Sequence, residues 1–184
     1  MQAYLISVQG PNRSGMVAEV TGLLYRQGVN LLDSSMSTLR GEFVMMLVVQ
    51  LPEELAAESF ENLLDGLRSE GLSLNLRELS PSEAGQRSAE SMPNYSLSVL
   101  GQDQTGMLYR FSELIASYGA NLTDVHTQLL DGSHSPPLYA MILELHLPAH
   151  KQAQQAELLK VAISKLAAEL DLDADLHPLE SLEI

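Results

Sequence analysis

The sequence predicts an α+β protein made of two units of the same order, βαββαβ, each with a four-stranded antiparallel sheet. Three observations predict it: a gapless internal repeat, the same succession of period-2 and period-3.6 segments in both halves, and a polar, turn-rich stretch between them. Laying Tyr4 onto Tyr95 gives eleven identities over the thirty positions to Asp33, among them Gly10/Gly101, Gly15/Gly106, Gly28/Gly119, Asn30/Asn121 and Asp33/Asp124. A five-residue insertion around Asp131–Pro137 then moves the offset from 91 to 96, after which Met45 meets Met141 and Pro52 meets Pro148. Residues 1–80 form the expected first unit, 81–93 a linker and 94–184 the second unit.

The elements follow in order. Tyr4, Ile6 and Val8 alternate with polar or intermediate neighbours over Ala3–Gln9, the period of a strand. Gly10-Pro11-Asn12-Arg13-Ser14-Gly15 breaks it. Met16, Val17, Val20, Leu23 and Leu24 recur at helical spacing, and Gly28 supplies the stop. Val29–Thr38 is a Ser-rich strand, Leu39–Glu42 a turn and Phe43–Leu51 a third strand ending at Pro52. Leu55, Phe60, Leu63, Leu64 and Leu67 mark a second helix, and Leu72–Leu79 a fourth strand. The second half repeats this with strands at 95–100, 120–130, 138–147 and 172–179 and helices at 107–118 and 152–170. The arrangement is ferredoxin-like, with both helices of a unit on one face of its sheet.

The third strands carry an asymmetry. Phe43, Met45, Leu47, Val49 and Leu51 match Tyr139, Met141, Leu143, Leu145 and Leu147 as the helix-facing set. The opposite face reads Val44, Met46, Val48, Gln50 in the first unit and Ala140, Ile142, Glu144, His146 in the second. The more apolar open face of the first unit is either a shallow internal contact or a docking face for a protein partner or a homodimer.

Composition narrows the function. Of 184 residues 45% are hydrophobic and 18% charged, with no Cys and no Trp. Disulfides, Cys-ligated zinc, Fe–S clusters and thiol catalysis are therefore excluded. Ten Lys+Arg against 24 Asp+Glu give a net charge of −14, which repels phosphate backbones and argues against direct reading of nucleic acid. No apolar run approaches the roughly 20 residues of a bilayer span. Met1-Gln2-Ala3-Tyr4 lacks the basic region of a secretory signal, so the chain is expected in the cytoplasm.

Both units place Gly-x-(Asn/Asp)-(Arg/Gln)-x-Gly between a strand and a helix, at 10–15 and 101–106, and follow it with Gly-x-Asn-Leu-x-Asp at 28–33 and 119–124. This pattern resembles the ACT domain, a βαββαβ module that senses small ligands, mostly amino acids. The tandem resembles the family of the glycine cleavage system transcriptional repressor. The family turn reads Asp-Arg-x-Gly. The first unit keeps the basic residue, Arg13, and replaces the acid by Asn12. The second keeps the acid, Asp103, and replaces the basic residue by Gln104. The two turns are therefore expected to be inequivalent.

A turn before a helix offers free N–H groups and the positive end of the helix dipole, which suit a carboxylate. Ser14 and Thr105 add hydroxyls, and Gly15 and Gly106 permit close approach. Asn12 or Asp103 can accept from an ammonium group, with help from Asn30 or Asn121. The candidate ligand-binding residues are thus Asn12, Arg13, Ser14, Gly15 and Asn30 in one unit, and Asp103, Thr105, Gly106 and Asn121 in the other. The resemblance implies that ligands sit near this turn, often at a seam between domains. The same residue types also serve as helix caps, and Gly28 and Gly119 as helix stops.

Nothing in the chain forms a nucleophile elbow, a His-Glu-x-x-His, a phosphate loop or a dinucleotide fingerprint. Of the five His, Asp124-x-His126 shares a strand face but would need further ligands to hold a metal; His134 lies in the Ser/Pro insertion and is expected exposed; and Pro148 separates His146 from His150. No catalytic residue, metal or cofactor is expected. The resemblance implies a non-catalytic regulator that senses an amino acid, glycine above all, and acts by protein contact on a transcriptional activator of glycine cleavage genes. The alternative is a detached regulatory subunit of an amino-acid or folate enzyme.

Overall fold

The computed structural model describes residues 2–69, 71–85, 92–130, 137–148 and 152–179. His134, His150 and most of the insertion and linker lie outside the described residues. The chain divides into two compact units, Met1–Gln86 and Arg87–Ile184. The first contains β1 (Ala3–Pro11), α1 (Met16–Arg26), β2 (Asn30–Leu39), β3 (Glu42–Gln50), α2 (Ala57–Ser69), β4 (Ser73–Leu79) and a short α3 (Pro81–Gly85). The second contains β5 (Tyr95–Gln102), α4 (Met107–Ser117), β6 (Asn121–Leu130), β7 (Leu138–His146), α5 (Gln152–Leu170) and β8 (Leu172–Pro178). The sheets run β2-β3-β1-β4 and β6-β7-β5-β8, with every neighbouring pair antiparallel. The ferredoxin-like expectation holds in both units.

Each unit has its own core. Met16, Val20 and Leu24 on α1 and Phe60, Leu64 and Leu67 on α2 meet Tyr4, Ile6, Val8, Phe43, Met45, Leu47 and Val49 of the sheet. Met107, Phe111 and Ile115 on α4 and Leu159, Ile163 and Leu166 on α5 meet Leu97, Val99, Met141, Leu143 and Leu145. The helix-facing sets expected from the alternation in the third strands are buried, except that Tyr139 stays half-exposed. On the opposite face of β3, Val44 is 37% and Met46 45% exposed. Among the described residues, no helix is long and apolar enough to cross a membrane.

Two local features depart from expectation, and one expected turn takes a specific form. First, β1 continues through Gly10 and Pro11, which pair with Phe43 and Glu42. Gly10 does not break the strand. A Cβ there would stand 2.6 Å from Cδ2 of Leu72, so glycine makes room for the residue that enters β4. Second, the turn expected at Leu39–Glu42 is present, and the two residues at its tip, Arg40 and Gly41, have φ of 48° and 85°. Positive φ at both central positions gives a tight turn whose twist matches its strands.

Third, the start of the expected linker is helical. Ser80 Oγ accepts from the Glu83 N–H at 3.3 Å, and a Glu83 carboxylate oxygen accepts from the Ser80 N–H at 2.9 Å and its hydroxyl at 2.7 Å. This is a capping box, with Pro81 at the first helical position where no N–H is needed. Arg77 on β4 donates to the same carboxylate at 2.8 Å. The helix lies over one end of the open sheet face, where Ala3 and Leu79 are buried. The bonds from Arg77 and Ser80 hold the Glu83 carboxyl down at about 2, below the ordinary 4.5. A lowered pKa favours the folded helix above the ordinary carboxylate range, and that advantage is lost as pH falls toward about 2. An NMR titration should therefore show Glu83 protonating well below the ordinary carboxylate range. Arg77→Ala should return its midpoint toward the ordinary value and loosen the α3 amides; an unmoved midpoint would contradict the pairing.

Candidate functional site

The two turns have one backbone geometry. Gly15 stands at the N-cap of α1 with φ 91° and ψ −5°, and Gly106 at the N-cap of α4 with φ 89° and ψ 5°. This left-handed conformation is the reason for glycine, because a Cβ at either position would meet nothing within 4 Å. The cap residue is the glycine, not Ser14 or Thr105, and neither helix has a side-chain cap. The capping account of these hydroxyls therefore fails. The first α-helical bonds run from Glu19 N–H to Gly15 O at 2.9 Å and from Arg110 N–H to Gly106 O at 3.0 Å. The first helical N–H groups, of Met16 and Met107, close back on Arg13 O at 3.4 Å and Gln104 O at 3.5 Å.

The side chains around the two turns differ. Arg13 forms an ion pair with Glu19 on the first turn of α1, at 2.7 Å, and remains 48% exposed. The Asn12 N–H donates to Gly41 O at 2.7 Å, tying the turn to the β2–β3 hairpin. In the second unit, Gln104 Nε2 donates to Leu170 O at 2.8 Å, closing the C-terminal end of α5. The residue that replaced the arginine thus has a structural task. Asp103 adds a negative charge beside the α4 N-terminus, which disfavours a second anion there.

Asn30 and Asn121 do not join the turns of their own units. Asn30 pairs across Gln50, which pairs with Ala3 at the start of β1, whereas the turn follows Pro11 at its end. Eight strand steps of about 3.3 Å separate those ends by roughly 26 Å. Asn121, opposite His146, is likewise at the far end of its sheet from 103–106. The expected grouping of each asparagine with its turn is therefore corrected. The chain passes up β1, back down α1, and only then enters β2. Asn30 instead lines a cleft of about 270 Å³ with Gly28, Gln50, Leu51, Pro52, Glu53 and Glu54.

The remaining motif positions have structural roles. Gly28 and Gly119, at φ 66° and 71°, end α1 and α4. Val29 N–H donates to Leu24 O at 3.0 Å and Gly28 N–H to Tyr25 O at 3.1 Å, a Schellman stop that Ala120 and Gly119 repeat on Ile115 and Ala116. Asp33 and Asp124 accept from the next backbone N–H, of Ser34 and Val125, both at 2.8 Å, where each edge strand is bulged. Asp124 also lies 3.1 Å from His126 Nε2 on the exposed face. Among the described residues, no three His, Asp or Glu side chains form a metal-binding group. A groove of about 480 Å³ between α4 and α5, walled by Arg110, Glu113, Lys165 and Glu169, was not expected; its charges are spaced along two helices with no motif.

Comparison with known proteins bears on the family and the fold. A family model for the ACT domain matches residues 2–77. UPF0237 proteins of Methanosarcina acetivorans and Methanosarcina mazei are each 34% identical over 76 residues, covering 40% of this chain and 77% of the relative. The solved structure of an unknown protein from Galdieria sulphuraria superposes with a TM-score of 0.77 at 24% identity, over 97% of this chain and 99% of that one. A structure bearing the name of a glycine cleavage system transcriptional repressor superposes with a TM-score of 0.66 at 17% identity, over 98% of both chains. These two likenesses extend the shared fold across both units. The chain belongs to the ACT-domain family and carries that regulatory fold twice in tandem.

Proposed function

We propose that the chain is a cytoplasmic, non-catalytic regulator that binds a free amino acid, glycine in the first instance, at the turn Asn12–Gly15, and acts by contact with a transcriptional activator of glycine cleavage genes. The observation that carries the ligand reading is the uncapped, left-handed Gly15 at the N-terminus of α1 with Arg13 beside it. Backbone N–H groups and the helix dipole favour a carboxylate at that point. Arg13 can exchange Glu19 for the ligand, because a guanidinium binds any carboxylate in the same fork geometry. Asn12 and Ser14 present oxygens to the ammonium group. Asn30, at the other end of the sheet, is not part of this site. At the second turn, the acid of Asp103 and the committed Gln104 favour binding through Thr105 and Gly106 far less.

The reading is tested by isothermal titration of the full chain with glycine, serine and alanine. One ligand per chain is expected. Arg13→Gln, which copies the residue of the second turn, should weaken binding about tenfold, roughly 1.4 kcal/mol. Gln104→Arg should not abolish it. Gly15→Val is a poorer probe than the motif suggests, because φ 91° strains any side chain there whether or not a ligand binds. No heat with any amino acid, or equal affinity in Arg13→Gln, would remove the turn from consideration. Partner choice is read separately, by whether a transcription factor or an enzyme co-purifies with the tagged chain.

A further inference from the structure

The open face of the second sheet carries a charge pattern that matches itself. Strand pairing sets its residues in rows across β6, β7, β5 and β8. One row reads Asp124, Glu144, Ser96, His177; the next His126, Ile142, Ser98, Asp175; the third Gln128, Ala140, Leu100, Asp173. Acid and histidine thus stand at opposite edges of the first two rows, in opposite order. Asp124, His126, Asp175 and His177 are all at least half exposed, and Ile142 and Leu100 are 50% and 40% exposed.

We propose that this face pairs with the same face of a second copy of the chain, about a two-fold axis parallel to the strands. Such an axis reverses each row. Asp124 then meets His177 of the second copy, His126 meets Asp175, Glu144 meets Ser96, Gln128 meets Asp173 and Ala140 meets Leu100. An axis across the strands pairs acid with histidine only where it falls between the first two rows, and it then sets Ile142 on Glu144 and Ala140 on His146, so the first geometry is the better match. Four strands about 4.8 Å apart and eight residues of about 3.3 Å make a face of roughly 500 Å² per copy. Two such faces bury about 1,000 Å², the lower limit of a specific interface, as suits a reversible dimer. The first unit is less suited, since α3 lies over one end of its open face.

The pairing is pH-dependent. The charged and titratable groups on the face are Asp124 and His126 from β6, Glu144 and His146 from β7, and Asp173, Asp175 and His177 from β8; β5 contributes none. The His146 ring nitrogen Nδ1 is engaged with Met92 O at 2.8 Å. Each histidine already has one carboxylate near it on its own strand, Asp124 at 3.1 Å from His126 and Asp175 at 3.8 Å from His177, and docking brings it a second. Histidine ordinarily gains its charge between about pH 8 and 5, so attraction grows as pH falls through that window.

Sedimentation of the full chain between pH 8 and 5.5 tests this. A monomer at pH 8 that dimerises roughly tenfold more tightly by pH 5.5 is expected, the order set by four partly exposed ion pairs. His126→Gln with His177→Gln should remove the pH step, and Ile142→Glu should abolish the dimer, while Met46→Glu on the first unit leaves both unchanged. Circular dichroism confirms that each variant is folded. A monomer throughout, a dimer whose pH step survives the histidine changes, or one abolished only by Met46→Glu would each overturn the proposal. The outcome does not depend on amino-acid binding at Asn12–Gly15.

Discussion

Phe111→Ala is expected to destabilise the second unit by about 3–5 kcal/mol while the first unit stays folded. Phe111 is 0% exposed on α4, one turn from Met107 and Ile115, and packs in the cluster with Leu97, Val99, Met141 and Leu143. Removing the ring deletes its transfer free energy and leaves a cavity that a strand face on one side and a helix on the other cannot collapse to fill. A unit of this size has about 5–15 kcal/mol in total, so the loss is a large fraction of it. None of the residues of that cluster belongs to the core of the first unit. Hydrogen exchange should therefore show lost protection in β5, β7 and α4 and retained protection in β1, β3 and α1. A single transition shared by both halves would mean that the units stand or fall together, and the two-core description would be wrong in its consequences. The same variant tests the proposed ligand reading: glycine binding at Asn12–Gly15 should survive it.

Most of this fold was legible because period and punctuation agree. In β3, alternate residues from Phe43 to Leu51 pointed inward as the pattern required, and α1 stopped at Gly28 as a helix must when a left-handed residue and its Schellman bonds close it. The short α3 was not legible by period, since Pro81–Gly85 buries nothing. Its signal was local: Ser80-Pro81-Ser82-Glu83 is a capping box, and only the partner Arg77, on β4, shows why it forms there. The candidate site was legible in part. The turns were placed at the helix N-termini, but Asn30 and Asn121 were joined to them on motif order alone. Direction of travel along each element decides which end of a sheet a residue occupies, and β2 begins where β1 began. What Gln104 does was hidden for another reason: its partner, Leu170 O, is contributed by a helix end 66 residues away.

Gly101→Val is expected to cost about 1–3 kcal/mol by overpacking, and its cause is separable. A Cβ at Gly101 would fall inside the van der Waals surface of Leu172 Cδ2 and 3.3 Å from the Leu172 Cα, so both side chain and backbone oppose it. Leu172 is 7% exposed and begins β8, which pairs with β5 through Gly101 itself. Leu172→Ala alone should cost about 2–5 kcal/mol as a core truncation. In the double variant the valine fills part of the space the leucine left, so the combined loss should fall short of the sum by about 1 kcal/mol or more. Strict additivity in urea unfolding would show that the collision is relieved elsewhere. The equivalent pair in the first unit, Gly10 and Leu72, is looser, with Leu72 Cδ2 at 2.6 Å and the backbone atoms Gly71 O and Leu72 Cα at ordinary contact distances of 3.5 and 3.7 Å, so Gly10→Val should be milder. This bears on function directly. In the repeated pattern Gly-x-x-x-x-Gly, the first glycine is held by the packing of the sheet and the second by its backbone angle. Neither needs a ligand to explain it. The persistence of the pattern in both units is thus a consequence of the shared fold. The two turns differ in the residues between the glycines, where Asn12 and Arg13 stand against Asp103 and Gln104.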